Sequence, residues 1–296
     1  MNISSQHALR HFQPKHDFFI GIDSDGCVFD SMELKHKECF IPAIIRHWKL
    51  QAISKYVREA AEFVNLYSKW RGTNRFPALI KVFDLLKERP EVMLRGVPVP
   101  EMPELRKFID SGVALGNPEL IKAIEKTHDP ELQKALGWSE AINQAIAEMV
   151  EGIPPFPFVR ESLEKLQSRA DIMVVSATPG ETLRREWHEN DIAHYAAIIA
   201  GQEAGSKKEQ LNLAASGKYR SNRVLMLGDA PGDLDAARQN HALFYPIKPG
   251  FEAESWEHFY NEASDNFFKE NYTGAYQAKL IAEFEMLLTD IPPWKK

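Results

Sequence analysis

The second half of the chain alternates short apolar runs with longer segments in which apolar residues recur every three or four positions. Short apolar runs are typical of buried strands, and apolar residues at the spacing of a helical turn are typical of amphipathic helices. The predicted strands are 171–176, 196–200, 223–227 and 243–246. The predicted helices are 159–167, 181–190, 208–215 and 234–240, with two more between 253 and 288. Strands that alternate with helices predict right-handed crossovers and a parallel sheet covered on both faces.

One further strand is predicted near the N terminus, far along the chain from the others. The run FFIGID at 18–23 is short and mostly apolar, and it leads into a tight turn. From Met32 to about Val150 only helical periodicity follows. We therefore predict an α/β fold, a doubly wound Rossmann-like parallel sheet with an all-helical cap inserted in its first crossover. The predicted parts are an N-terminal tail at 1–16, a sheet-containing core at 17–31 and 152–296, and the helical cap at 32–151.

Composition and charge narrow the class of protein. The chain has 296 residues, of which 44% are hydrophobic and 26% charged, so a disordered or fibrous protein is excluded. Its 36 Lys and Arg residues and 42 Asp and Glu residues give a net charge of −6, which supplies no general attraction for nucleic acid. A small phosphorylated ligand remains compatible with this charge, because a few local donors suffice to hold it.

The cysteines and the N terminus indicate the compartment. Cys27 and Cys39 are the only cysteines, too few for a disulfide framework in a chain of this size, and they favour a reducing compartment. Residues 1–16 lack the apolar region of a secretory signal, and no stretch approaches about 18 uninterrupted apolar residues. We expect a cytoplasmic protein with neither membrane nor nucleic acid as a partner.

Four carboxylates follow two of the predicted strands. Asp23 and Asp25 follow the first strand, and Asp229 and Asp233 follow the strand that begins at 223. The carboxyl ends of parallel strands share one edge of a sheet, so these like charges would repel one another unless a cation neutralises them. A hard divalent metal with oxygen ligands is the economical inference, and Mg²⁺ fits best.

Two more side chains extend this predicted site. Lys207, at the start of the helix after the third predicted strand, adds a fixed positive charge, and Ser176 adds a hydroxyl at the end of the strand 171–176. Together with a metal and turn amides, these groups are suited to a tetrahedral oxyanion.

Four segments, in their order along the chain, resemble the four motifs of the haloacid dehalogenase superfamily. They are DSDGCVFDS at 23–31, the strand end at 174–176, GSKKEQL at 205–211 and GDAPGD at 228–233. The resemblance is to the phosphatase and β-phosphoglucomutase-like branch, with a helical cap between the first and second motifs. It implies a Mg²⁺-dependent phosphoric monoester hydrolase that acts on a small phosphorylated metabolite through a phosphoaspartate intermediate.

The resemblance also implies roles for individual residues. Asp23 would be the nucleophile and Asp25 the general acid and base. Ser176 and Lys207 would bind the phosphoryl group. The metal ligands would be the carboxylates of Asp23 and Asp229 and the backbone carbonyl of Asp25.

Three assignments stay open at this point. Lys207 and Lys208 both fit the lysine of the third motif, and the spacing to Leu211 favours Lys207. Asp233 is expected either to lie just outside the metal's direct ligands or to pair with Lys207, with capping of the following helix as the alternative. Asp30 and Ser31 are expected to cap the first helix of the insertion.

Two other functions are compatible with the same motifs. A phosphotransferase resembling β-phosphoglucomutase would deliver the phosphoryl group to a second hydroxyl in place of water. A non-catalytic phospholigand-binding protein is disfavoured, because Asp23, Asp25, Lys207 and Asp229 are all present.

The turn WRGTNRF at 70–76 in the predicted cap is rich in hydrogen-bond donors and flanked by aromatic residues. Its two arginines, Arg71 and Arg75, are candidate substrate-binding residues, because a guanidinium can bind a carboxylate or a second phosphate. The alternative is a corner between two helices whose arginines make surface ion pairs.

Overall fold

The computed structural model describes residues 5–295. The strands are β1 (Phe18–Ile22), β2 (Ala170–Val175), β3 (Ile198–Ala200), β4 (Val224–Gly228) and β5 (Leu243–Pro246). The helices are α1 (Ser5–His11), α2 (Ser31–Leu34), α3 (Ile41–His47), α4 (Ser54–Leu66), α5 (Arg75–Lys87), α6 (Pro90–Leu94), α7 (Pro103–Asp110), α8 (Asn117–Thr127), α9 (Pro130–Met149), α10 (Val159–Leu166), α11 (Gly180–Glu189), α12 (Lys207–Ala215), α13 (Pro231–Gln239), α14 (Glu252–His258), α15 (Ser264–Phe268) and α16 (Ala275–Leu287). None of these described helices combines the length and the apolar character needed to cross a membrane.

The five strands form one parallel sheet with the order β3-β2-β1-β4-β5. β1 is central, and Ile22 at its end pairs with Val174 on β2 and with Leu227 on β4. The connections diverge to the two sides of β1, so its carboxyl end lies where a doubly wound sheet binds ligands. The predicted α/β class with a parallel sheet is confirmed.

Alternation along the strands builds an apolar core on each face of the sheet. Ile20, Ile172 and Leu225 belong to one core, and their neighbours Phe19, Met173 and Met226 belong to the other. Side chains of successive strand residues point to opposite faces, and a parallel sheet is covered on both. This explains why these strands are nearly continuous apolar runs in the sequence.

The chain divides into two compact units. The sheet unit contains the described residues up to Met32 and Gly152–Leu288, and the helical unit contains Glu33–Glu151 together with the described residues from Thr289 onward. The described residues of the helical unit form no named strand, as the periodicity predicts. Their core includes Trp48 and Trp138, whose rings meet edge to face with centroids 5.6 Å apart.

Three details differ from the sequence-based boundaries. The residues predicted as a tail include the helix α1, which packs through the fully buried side chain of Leu9. The Leu9 carbonyl accepts a hydrogen bond from Lys218 Nζ at 2.6 Å. Residues 1–4 lie outside the described part of the chain. Residues 289–295, predicted to belong to the core, group with the helical unit, where Trp294 packs against Phe63. β3 begins two residues later than predicted, because the Ala196 N–H donates to the Ala193 carbonyl and so belongs to the preceding 3₁₀ turn.

Candidate active site

Two of the predicted carboxylates stand at the ends of adjacent central strands. Asp23 directly follows β1, and its backbone N–H donates to the carbonyl of Leu227 at 3.0 Å, which fixes it against β4. Asp229 directly follows β4. Both residues are buried. Because the strands are parallel neighbours, their carboxyl ends bring the two carboxylates to the same edge of the sheet.

A third carboxylate, Asp233, lies in the first turn of α13 and is fully buried. Its Oδ2 accepts a hydrogen bond from the Ala230 N–H at 3.1 Å, so it also caps the start of its own helix. Gly228, at the end of β4, makes room for it. A Cβ at that position would lie 2.4 Å from the Asp233 Cβ, so a larger residue would have to push Asp233 away.

Lys207 joins two of these carboxylates. Its Nζ lies 2.7 Å from Asp23 Oδ2 and 2.7 Å from Asp233 Oδ1. Burial disfavours the charged form of Lys207, but the negative charges of Asp23, Asp233 and Asp229 outweigh that effect and raise its pKa above the ordinary value. Lys208, its neighbour, is exposed and makes no such contact.

Burial raises the pKa of the Asp233 carboxyl, and the positive charge of Lys207 opposes that rise. Asp233 thus makes the ion pair with Lys207 that was one of its expected roles, and it also makes the cap that was the alternative. The two roles are compatible because Oδ1 of Asp233 pairs with Lys207 and Oδ2 accepts the hydrogen bond from the Ala230 N–H.

The residues fit a divalent cation. Asp23, Asp229 and Asp233 each offer a carboxylate oxygen, and these three atoms lie within 4.8 Å of one another. Three carboxylates beside one ammonium leave an excess of negative charge in a buried place. Asp23 Oδ1 is buried and accepts no hydrogen bond from any described residue. A buried carboxylate oxygen requires compensation, and hard cations such as Mg²⁺ prefer oxygen ligands.

Asp25 is held by two hydroxyl groups. Thr178 Oγ1 donates to Asp25 Oδ2 at 2.6 Å, and Ser31 Oγ donates to Asp25 Oδ1. The hydroxyl of Ser31, at the start of α2, therefore contacts Asp25, a role that its expected place as a helix cap did not include. Thr178 was not singled out in the sequence, although it stands in the segment that follows β2, where side chains converge on the same edge.

Ser176, just beyond β2, is tied into the sheet unit by Gln210. The buried amide of Gln210 donates from Nε2 to the Ser176 carbonyl at 2.8 Å and accepts from the Ser176 N–H at 3.2 Å. The Ser176 hydroxyl accepts a hydrogen bond from the Thr178 N–H at 3.3 Å. Gln210 lies one helical turn after Lys207, so α12 positions both the lysine and the end of β2. The available sequence signal was a glutamine three residues beyond the lysine.

Arg71 and Arg75 both lie in the helical unit and bond to groups of that unit. The buried Arg71 donates from Nη1 to the Leu66 carbonyl at 2.9 Å. Arg75 donates from Nη1 to Ser139 Oγ and to Asn143 Oδ1, each at 2.8 Å. Burial lowers the pKa of Arg75 to about 10, which leaves it protonated at neutral pH. Arg75 is thus held by hydrogen bonds to neutral side chains, and not by the surface ion pairs of the alternative interpretation. Its role in substrate binding stays a prediction.

Comparison with known proteins gives a family match. The sequence model of the family described as haloacid dehalogenase-like hydrolase matches residues 104–244. This range contains β2, β3 and β4, ends within β5, and leaves out β1 and the turn that follows it. No curated protein matches the chain.

Solved structures are similar to this chain at low sequence identity. A protein from Lactobacillus delbrueckii subsp. bulgaricus with the provisional name phosphoglycolate phosphatase is 13% identical, with a TM-score of 0.50 over 86% of this chain and 98% of that chain. A predicted phosphoglycolate phosphatase from Haemophilus somnus is 13% identical, with a TM-score of 0.47 over 78% and 86% of the two chains. A protein from Thermotoga maritima with the provisional name β-phosphoglucomutase is 12% identical, with a TM-score of 0.42 over 77% and 84%.

Proposed function

We propose that this chain is a haloacid dehalogenase-like hydrolase, and that it acts as a Mg²⁺-dependent phosphatase that hydrolyses a small phosphorylated metabolite through a phosphoaspartate. One observation carries the proposal. Three buried carboxylates, those of Asp23, Asp229 and Asp233, converge within 4.8 Å, and Lys207 Nζ lies 2.7 Å from the first of them. This combination supplies a nucleophile and the positive charge needed to bring a phosphate to it.

The metal would be held by the carboxylates of Asp23 and Asp229 and by the backbone carbonyl of Asp25, with Asp233 beside it. The buried Asp23 Oδ1, which accepts no hydrogen bond from the described residues, supports this set. When bound, Mg²⁺ supplies Lewis-acid polarisation of a phosphoryl oxygen. Lys207 bridges Asp23 and Asp233 and keeps a fixed positive charge at the same place.

In the first chemical step, a carboxylate oxygen of Asp23 forms a bond to phosphorus as the bond to the ester oxygen breaks. A carboxylate is a weak nucleophile, so the step depends on withdrawing negative charge from the phosphoryl group, which Lys207 does. Asp25 gives its proton to the departing oxygen. Ser31 and Thr178 orient Asp25 for that transfer by donating to its two oxygens.

In the second step, Asp25 takes a proton from a water molecule as that water attacks the phosphorus of the phosphoaspartate. The bond between phosphorus and the Asp23 oxygen breaks, and inorganic phosphate leaves with the regenerated carboxylate behind it. Ser176, Lys207 and the turn amides would hold the phosphoryl oxygens through both steps. Gln210 supports this role by fixing the backbone of Ser176 on both sides.

Removal of the metal tests this proposal. We expect the protein to hydrolyse members of a phosphate monoester panel with Mg²⁺, to lose turnover in EDTA and to regain it when Mg²⁺ is restored. Ca²⁺ should be a poor substitute, because its larger and looser coordination misplaces the nucleophile. Phosphate release is the measurement.

Full turnover in metal-free buffer would contradict the carboxylate site as a metal site. Transfer to an added sugar hydroxyl without phosphate release would favour the phosphotransferase. Phosphate binding with no turnover of any ester would favour the non-catalytic binding protein.

Arg75 is the candidate for recognising the non-reacting part of the substrate. We expect Arg75→Ala to lower kcat/KM for the best ester of the panel by about ten- to a hundredfold, the equivalent of a charge-assisted contact of about 1.5–3 kcal/mol. A minimal aryl phosphate should hardly respond, because it has no group for the guanidinium to meet. Steady-state kinetics on both esters provide the measurement.

The matched control is Ser139→Ala, which removes one hydrogen-bond acceptor of Arg75 and leaves the guanidinium in place. Equal losses on both esters in Arg75→Ala would mean that the arginine acts by holding α5 to α9 and does not contact the substrate.

A further inference from the structure

The C-terminal segment of the chain belongs to the helical unit, although the helix directly before it does not. α16 lies in the sheet unit, and the residues from Thr289 onward lie in the helical unit. The chain therefore passes between the units three times, after Met32, after Glu151 and after Leu288. The third passage has no part in the proposed site, and it needs its own explanation.

The start of this segment pairs with the turn that carries Arg71. Thr289 forms a parallel β-bridge with Ser68, and its carbonyl accepts a hydrogen bond from the Lys69 N–H at 3.2 Å. The Arg71 N–H in turn donates to the Ser68 carbonyl at 3.0 Å. The backbone of the segment thus continues the hydrogen-bonding of the turn at 67–73.

The end of the segment is anchored by Trp294. The guanidinium carbon of Arg89 lies 4.4 Å from the centre of the Trp294 ring and 4.6 Å from that of Tyr56. The same ring meets Phe63 edge to face with centroids 5.7 Å apart. Arg89 is only 4% exposed and pairs with Glu59 at 2.5 Å. A cation–π contact gains strength when the cation is desolvated in this way.

Two exposed ion pairs accompany the anchor. Lys295 pairs with Glu88, and Lys69 pairs with Asp290 at 3.3 Å. Ion pairs at this level of exposure contribute little to stability. The aromatic contact of Trp294 and the backbone contact of Thr289 are therefore the two points that fix the segment.

We propose that residues 289–295 act as a C-terminal clamp that holds the turn at 67–73 of the helical unit in one arrangement. The clamp joins two places that are distant in the sequence, the turn and the start of α6 beside Arg89. Without it, the turn would keep its own contacts, such as that of the Trp70 ring with Phe63, but would lose its backbone pairing with Thr289, and a segment with fewer contacts opens more readily. Any effect of the clamp on substrate recognition by Arg71 and Arg75 rests on the proposed function. The effect of the clamp on the turn at 67–73 does not.

Hydrogen exchange measured by mass spectrometry on the full chain tests the clamp. In Trp294→Ala we expect the amides of residues 67–73 to exchange at least about tenfold faster than in the wild type, because loss of the anchor opens the turn. Peptides that contain β1 and β4 should keep their protection. A chain ended after Leu288 should give the same pattern.

Two control variants show whether the effect depends on the aromatic ring of Trp294. Trp294→Phe retains an aromatic ring over Arg89 and removes only the indole N–H, which is buried without a hydrogen-bond partner among the described residues. Ile291→Ala changes a side chain in the same segment that is 51% exposed. Both should stay within about threefold of the wild type.

Unchanged exchange at 67–73 in Trp294→Ala would overturn the proposal. An equal rise in β1 and β4 would also overturn it, because the segment would then stabilise the whole chain and not the turn. If the wild-type protein hydrolyses no ester, the proposed function is wrong, but the exchange experiment still tests the clamp.

Discussion

Asp23→Asn should lower turnover of any ester by at least about a thousandfold, which is about 4 kcal/mol of transition-state free energy. The amide cannot form the phosphoaspartate, and its neutral oxygen is a weaker metal ligand than the carboxylate. The fold should survive, because the two side chains have the same shape and the change removes one of three crowded negative charges. Steady-state phosphate release and thermal unfolding are the two measurements.

The matched control for this substitution is Asp17→Asn. Asp17 directly precedes β1, whereas Asp23 directly follows it. The side chain of Asp17 is 82% exposed and pairs with Arg223 at 3.1 Å. Loss of such a pair has little effect on stability and should have none on turnover. Turnover of Asp23→Asn within tenfold of the wild type would reject Asp23 as the nucleophile.

Most of the sheet was predictable because its residues carry a local signal. β2, β4 and β5 are short runs buried on both faces, and the sequence shows each as a nearly unbroken apolar stretch. The two chain ends carry no such signal. α1 depends on burial of Leu9, and the segment after Leu288 depends on a cation–π contact between Arg89 and Trp294, which are far apart in the sequence.

The residues of the candidate site also differ in whether the sequence could predict their contacts. Asp23 and Asp229 could be brought together from sequence because parallel strands end at one edge. The hydroxyls of Ser31 and Thr178 on Asp25 could not, since their contacts depend on loop paths and on side-chain rotamers that no periodicity encodes.

Lys207→Met should lower turnover by about a hundredfold or more and should also destabilise the metal-free protein. Lys207 is the cation between Asp23 and Asp233, and its removal leaves both buried carboxylates without their partner. Breaking a buried ion pair on one side typically costs about 3–5 kcal/mol. Added Mg²⁺ should therefore raise the Tm of Lys207→Met more than that of the wild type, because the bound ion replaces part of the missing positive charge.

Lys208→Met is the control that separates the two neighbouring lysines. Lys208 is exposed on the first turn of α12, so its loss should change the free energy of unfolding by no more than about 0.5 kcal/mol. Turnover should stay near that of the wild type. Sequence spacing alone could only favour Lys207, whereas the 2.7 Å contacts of its Nζ with two carboxylates predict a large difference between the variants. A larger loss of turnover in Lys208→Met than in Lys207→Met would reverse the assignment, and with it the argument that the fixed cation must touch both Asp23 and Asp233.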